Sequence, residues 1–106
     1  MDTYVYDEIT PIMAQAMAES LRASPREAVS VRVNSYGGDL AAALAMLNAL
    51  RAHQGPVTVT IEGIAASAAV LLCCVGTVTA ASNALLMVHA PWTSTTGTAS
   101  DLRSNA

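Results

Sequence analysis

Charged residues are scarce in this 106-residue chain, and basic ones are the scarcest. Only five lysines and arginines are present, against eight aspartates and glutamates, and the five do not cluster. This excludes the basic patch of a nucleic-acid-binding protein. Low charge together with 53% hydrophobic residues also argues against a disordered chain. The length is typical of one domain, so we expect a single domain over residues 1–106.

Cysteine is limited to the adjacent pair Cys73 and Cys74. Neighbouring residues on one helix point in different directions, so this pair is a poor disulfide or metal site. We therefore expect two small, buried apolar residues in a reducing compartment, and no metal or other cofactor. The N-terminus is acidic and lacks the basic region of a secretory signal, so we expect a cytoplasmic protein.

Formal charge is absent from Gly63 to Val88, a stretch long enough for a membrane-spanning helix. However, Ser82 and Asn83 interrupt the apolar run, and no basic residues flank it. We expect instead a buried helix followed by buried strands, and no membrane contact.

The apolar pattern alternates between the period of a strand and that of a helix. Helices are predicted at 11–23, 40–53 and 68–75, and strands at 4–6, 28–33, 57–61, 77–80 and 85–88. Residues 93–100 are rich in Ser, Thr and Gly and are predicted to form a loop. Helices that alternate with strands favour an α/β fold with largely parallel strands.

Capping residues and apolar spacing define the first two helices. Thr10 and Asp39 are predicted N-caps, and Pro11 occupies the first helical position. His53 is interpreted as a residue placed favourably at the negative end of its helix. The predicted buried faces are Ile12, Met13, Met17 and Leu21 on the first helix, and Leu40, Leu44, Leu47 and Leu50 on the second.

Ser67 lies between the strand at 57–61 and the apolar helix that follows. The first N–H groups of a helix have no partner within it, and negative charge is favoured beside them. A serine at such a turn is either a nucleophile or an ordinary N-cap, and this motif alone leaves both open.

A second turn, at 34–39, has the sequence NSYGGD. Gly37 and Gly38 can adopt backbone angles that are closed to other residues and can bring N–H groups close to a ligand. A tight turn, a phosphate nest and an oxyanion hole all remain open. The turn has neither the spacing of a Walker A motif nor that of a dinucleotide-binding fingerprint.

These two turns and His89 all lie at or just past the ends of predicted strands. In parallel sheets, sites gather at the carboxyl ends of the strands. We therefore expect Gly37, Gly38, Ser67 and His89 to meet at one rim of the sheet.

Three blocks of the sequence, at 34–39, 63–69 and 86–92, resemble the signature blocks of ClpP-like serine peptidases in order and spacing. The resemblance implies a ClpP/crotonase-like spiral of β-β-α units with a mostly parallel sheet. It also implies that Ser67 is the nucleophile and His89 the general base. The N–H groups of Gly38 (or Gly37) and Ala68 would form the oxyanion hole.

The third member of the family's triad is an Asp well downstream of the histidine. Asp101 follows His89 too closely to be that residue, and we interpret it as the cap of a docking helix. We expect the triad Asp to lie beyond Ala106, in which case the sequence is truncated at its C-terminal end.

More narrowly, the segments 41–50, 83–87 and 91–103 resemble the phage head-maturation branch. This resemblance implies capsid or scaffold proteins as substrates, and the family implies a homo-oligomeric ring. One alternative is the proteolytic subunit of an ATP-dependent Clp protease, which works with an AAA+ unfoldase. Two further alternatives are a crotonase-like acyl-CoA enzyme and a non-catalytic structural homologue.

Overall fold

The computed structural model describes the backbone of residues 1–90 and 93–98 and the side chains of residues 1–86. Strands and helices alternate through most of this part of the protein. The elements are β1 Asp2–Ile9, α1 Pro11–Ala23, β2 Val29–Gly38, α2 Leu40–Ala52, β3 Val57–Ala66, a 3-10 helix Ser67–Cys74, β4 Thr77–Ala80, β5 Leu85–Ala90 and β6 Thr93–Thr98.

The strands form one sheet in the order β1-β2-β3-β5-β6, with β4 paired to β3 beside this path. Strands β1 to β5 pair in parallel, and β6 returns antiparallel to β5. The first half of β3 pairs with β4, and its last three residues, 64–66, pair with residues 85–87 of β5. The prediction of an α/β fold with a mostly parallel sheet is confirmed.

Both α-helices cover the same face of the sheet. The strands β1, β2 and β3 are sequential neighbours, and right-handed crossovers therefore place α1 and α2 on one side. The core fills the space between this face and the helices. Its fully buried members include Val5, Ile9, Val31, Val33, Val59, Ile61, Met46, Leu50 and Leu72.

The predicted helix caps are confirmed. Thr10 accepts a hydrogen bond from the N–H of Met13 at 3.2 Å, and Pro11 begins α1. Asp39 accepts from the N–H of Ala42 at 2.8 Å. His53 is the residue that follows α2, and its Nε2 lies 2.7 Å from the carbonyl oxygen of Glu27, so the imidazole joins two connecting segments.

Four strands, β1, β2, β3 and β5, are longer than the sequence predicts, and one predicted loop is a strand. Strands β2 and β3 continue to Gly38 and Ala66, so the paired glycines lie inside β2. The loop prediction is wrong over Thr93–Thr98, which is β6. Ser, Thr and Gly are typical of loops, but threonine is β-branched and the ladder to β5 pairs the backbone of this segment. Residues 99 and 100 lie outside the described residues.

The predicted apolar stripes identify the buried helix faces only in part. Ile12, Leu40 and Leu44 are exposed, and alanines occupy several of the inner positions. These inner residues are Ala14, Met17 and Leu21 on α1, and Ala42, Ala43, Met46, Leu47 and Leu50 on α2. Alanine is favoured where a helix backbone approaches its neighbours closely, so residue size alone does not mark the inner face.

The uncharged run after Gly63 folds as the end of β3, the 3-10 helix and two short strands. In the part of the protein that the structure describes, no helix has the length and hydropathy needed to cross a membrane. Cys73 is half-buried and Cys74 is exposed, so the prediction that both are buried is wrong for Cys74. The buried residues of this helix are Ala68, Ala69 and Leu72, which leaves position 74 facing outward.

We expect Leu50→Ala to lower the free energy of unfolding by about 2–5 kcal/mol, because Leu50 is 1% exposed and its removal leaves a cavity. Leu44→Ala, on the same helix, is the matched control. Leu44 is 43% exposed, and its truncation should change stability by less than about 1 kcal/mol. Urea unfolding of both variants measures the difference, and equal losses would contradict the assignment of the inner face.

Candidate active site

Ser67 occupies the junction between β3 and the 3-10 helix. Its φ of +55° is in the left-handed region, where non-glycine residues are uncommon. The cap position is Ala66, so Ser67 is the first residue of the helix and the interpretation of Ser67 as an ordinary N-cap is wrong. Its side chain is exposed, while the alanines on either side of it are buried. A strained, exposed serine between a strand and a helix has the geometry of a nucleophile turn.

Gly37 lies directly against this turn. A β-carbon on Gly37 would be 3.0 Å from Ser67 Cβ and 3.2 Å from the backbone nitrogen of Ala68. The φ of Gly37 is +116° and that of Gly38 is +144°, which confirms that both glycines adopt backbone angles closed to other residues. The two turns identified in the sequence therefore meet at one rim of the sheet.

Backbone donors approach this rim from both turns. Ala68 is the second residue of the 3-10 helix, where N–H groups have no partner within the helix. The N–H of Gly37 donates to Ser35 Oγ at 3.1 Å. Of the two glycines, Gly37 therefore has its N–H bonded to a side chain, and Gly38 is the other candidate donor.

An open cleft of about 360 Å³ adjoins the glycines, lined by Asp7, Glu8, Tyr36, Gly37 and Gly38. The last pair between β2 and β3 joins Ser35 to Ala65, whereas β2 itself continues to Gly38. On the β3 side, 36–38 therefore has no strand partner among the described residues, although Gly37 lies against the Ser67 turn there. Such an edge can pair with an extended peptide.

A polar network lies across β1, β2 and β3 close to this rim. Glu62 accepts from the Tyr6 hydroxyl at 2.6 Å and from Arg32 Nη1 at 2.9 Å. The hydrogen bond from Tyr6, followed by the interactions with Arg32, holds the pKa of Glu62 below its usual value, although desolvation opposes the shift. The same hydrogen bond raises the pKa of Tyr6.

A family model described as Clp protease matches residues 2–106. The chain belongs to the Clp protease family. A solved structure, the ClpP1 N165D mutant from Listeria monocytogenes, has the same fold, with a TM-score of 0.77 at 22% sequence identity. The match covers 85% of this chain and 56% of the Listeria protein, so the Clp-family domain described here spans little more than half the length of that structure.

The placement of His89 in this Clp-family domain rests on the backbone alone. His89 belongs to β5, two residues after Met87, and Met87 pairs with Ala66 immediately before Ser67. The register therefore places the backbone of His89 on the strand next to the Ser67 turn. Its side chain lies outside the described residues, as do Asp101 and the whole segment 99–106, together with 91 and 92.

Asn34 and Ser35, for which the sequence predicts no role, make hydrogen bonds at this rim. Asn34 Oδ1 accepts from the N–H of Ile64 at 3.2 Å, and Ser35 binds Gly37 as described above. Both lie in the turn at 34–39, and a polar pair before two glycines was the signal that the sequence offered. The role of this polar pair depends on contacts with strands that are distant in sequence.

Gly37→Ala should lower the free energy of unfolding by about 1–3 kcal/mol, because it places a side chain at a positive φ and against Ser67. Tyr36→Ala is the control. Tyr36 is the neighbouring residue and is 75% exposed, so its truncation should change stability by no more than about 0.5 kcal/mol. Urea unfolding compares the two, and a Gly37→Ala variant as stable as wild type would contradict this geometry.

The Tyr6–Glu62 hydrogen bond should make stability depend on pH in the acid range. The pKa of Glu62 is lower in the folded state, so its contribution is complete above the ordinary glutamate pKa of about 4.3 and is lost as pH falls through the lowered value. We therefore expect Tyr6→Phe to reduce the loss of stability between pH 7 and pH 3. Tyr4→Phe, at a neighbouring tyrosine, should leave that loss unchanged. Urea midpoints at both pH values provide the measurement, and identical pH dependence in the two variants would rule the explanation out.

Proposed function

We propose that this chain is a serine endopeptidase domain in which Ser67 is the nucleophile and His89 the general base. The observation that carries the proposal is the exposed, left-handed Ser67, held against the backbone of Gly37 at the carboxyl end of a parallel strand. Membership of the Clp protease family supports the same chemistry. The third triad member would be an Asp outside residues 1–106.

In this mechanism, Ser67 Oγ attacks the carbonyl carbon of the scissile peptide while His89 takes the hydroxyl proton. The N–H groups of Gly38 and Ala68 donate to the oxygen on which negative charge develops, and each such donor is worth about 3–4 kcal/mol in the transition state. His89 returns the proton to the leaving amine, which releases the first product and leaves an acyl enzyme. Water, deprotonated by His89, then attacks the ester and restores Ser67.

The substrate in this proposal is an extended peptide that pairs with the backbone of β2 near Gly37 and Gly38. The cleft lined by Asp7, Glu8 and Tyr36 lies on the β1 side of the same segment and would receive substrate side chains there. Backbone pairing orients the scissile carbonyl without requiring one particular sequence. The small residues around Ser67 allow the peptide backbone to approach the turn closely.

Within this chemistry, we propose a phage head-maturation protease that acts on capsid or scaffold proteins as a homo-oligomeric ring inside the host cell. The resemblance of 41–50 and 83–87 to that branch supports this choice. The alternative is a subunit of an ATP-dependent Clp protease that depends on an AAA+ unfoldase. Cleavage of a scaffold protein without ATP would favour the first, and a strict requirement for ATP and an unfoldase would favour the second.

A crotonase-type acyl-CoA enzyme remains a second candidate because a carboxylate side chain, that of Glu8, lies close to Gly38. Cγ of Glu8 would be 3.0 Å from a β-carbon placed on Gly38. That chemistry would use Glu8 and would not require the Ser67 hydroxyl. Variants at positions 8 and 67 therefore separate the two functions.

A fluorophosphonate probe tests the peptidase proposal, because it phosphonylates an activated serine. We expect wild type to be labelled, Ser67→Ala to be unlabelled, and Glu8→Gln to be labelled as fast as wild type within about threefold. Ser82→Ala, in the turn before β5, is the matched control and should be labelled normally. The proposal fails if wild type is unlabelled both as residues 1–106 and in a version extended past Ala106, or if Ser67→Ala is labelled equally.

A further inference from the structure

Strand β2 is bordered by an irregular pairing on each side, just before the candidate site. Against β1, the register moves from Tyr6 paired with Asn34 to Glu8 paired with Gly37. Against β3, it moves from Val33 paired with Ile61 to Ser35 paired with Ala65. Regular ladder bonds are lost at both shifts, so other groups must satisfy the backbone there.

Ser35 supplies the bond on the β1 side. Its side chain is 1% exposed, and its hydroxyl donates to the carbonyl oxygen of Asp7, which has a left-handed φ of +62°. The same hydroxyl oxygen accepts the N–H of Gly37 at 3.1 Å. One hydroxyl thus joins the irregular part of β1 to the peptide that precedes Gly37, next to Gly38 at the end of β2.

Asn34 supplies the bond on the β3 side. Three residues of β3, at 62–64, stand opposite this one residue, and the N–H of Ile64 donates to Asn34 Oδ1 at 3.2 Å. A β-carbon on Gly63 would collide with Asn34 Oδ1, so the glycine leaves room for the amide group. Asn34 therefore holds β3 three residues before Ser67.

We propose that Asn34 and Ser35 are positioning residues for the reaction of Ser67, an inference that rests on the proposed peptidase function. The two oxyanion donors, at Gly38 and Ala68, come from different segments, beyond the last pair between β2 and β3. Their separation depends on how the two strand ends are held. Ser35 holds the glycine segment, and Asn34 holds the strand that carries Ser67 and Ala68.

A purely structural role for these side chains makes a different prediction. A buried hydroxyl that only satisfies backbone groups would alter the fraction of folded molecules, but each folded molecule would react at the wild-type rate. A positioning role alters the rate of each folded molecule, because a displacement of about 1 Å in a donor or nucleophile can lower the rate by about 100-fold. The amplitude and the rate constant of labelling separate these cases.

The experiment is a time course of fluorophosphonate labelling on residues 1–106, or on the extended version if only that is labelled. We expect Ser35→Ala to lower the rate constant by about 10- to 100-fold at nearly full amplitude, because the phosphonyl oxygen uses the oxyanion donors. Ser35→Thr keeps the hydroxyl and should remain within about fivefold of wild type. Ser30→Ala, the same change at the far end of β2, should label at the wild-type rate.

A second pair of variants keeps the inference testable if Ser35→Ala does not fold. Asn34→Ala removes the acceptor for Ile64 and should also lower the rate constant by at least about 10-fold, whereas Asn34→Asp keeps an acceptor oxygen and should recover most of the rate. Variants that react at the wild-type rate with reduced amplitude would overturn the inference and leave the peptidase function standing. Absence of labelling in wild type would overturn both.

Discussion

The backbone contact between Gly37 and the Ser67 turn is the constraint on which the candidate site depends. Beyond the pair of Ser35 and Ala65, the two strands no longer share ladder hydrogen bonds, yet they stay close because no side chain separates them. N–H groups from two segments, thirty residues apart in sequence, can then point into the same small volume. Any side chain at position 37 would fill this volume and push the turn away.

The strand ends reach this arrangement through local irregularity. Asp7 and Ser67 have left-handed backbone angles, and β3 carries extra residues opposite Asn34. Each left-handed residue costs about 1–3 kcal/mol, and the buried aliphatic core beneath the sheet offsets that cost. Strain of this kind is typical of sites where geometry matters more than stability. Asn34, Ser35 and Glu62 bridge the irregular pairings and keep the strand ends in one arrangement.

Features that depend on neighbouring residues were predictable. The caps at Thr10 and Asp39 and the strand that begins at Val57 follow from residue types a few positions apart, and the structure confirms them. The exposure of Leu40 was not predictable from helical spacing, because the inner face of α2 is set by how closely the helix approaches its neighbours. The strand at Thr93–Thr98 exists because β5 offers it a partner, which its own composition does not reveal.

By itself, the sequence determined the α/β class, the placement of serine and paired glycines near strand ends, and the resemblance to Clp-type peptidases. These depend on periodicity, turn chemistry and short motifs, all of which are local. Only the tertiary structure decided that Gly37 lies against Ser67, that the Gly37 N–H is taken by Ser35, and that Asn34 holds β3. The first and third of these contacts join residues about thirty positions apart through strand register, and register is set by the packing of the whole sheet. The second is local in sequence, but it forms where the pairing of β1 with β2 shifts register.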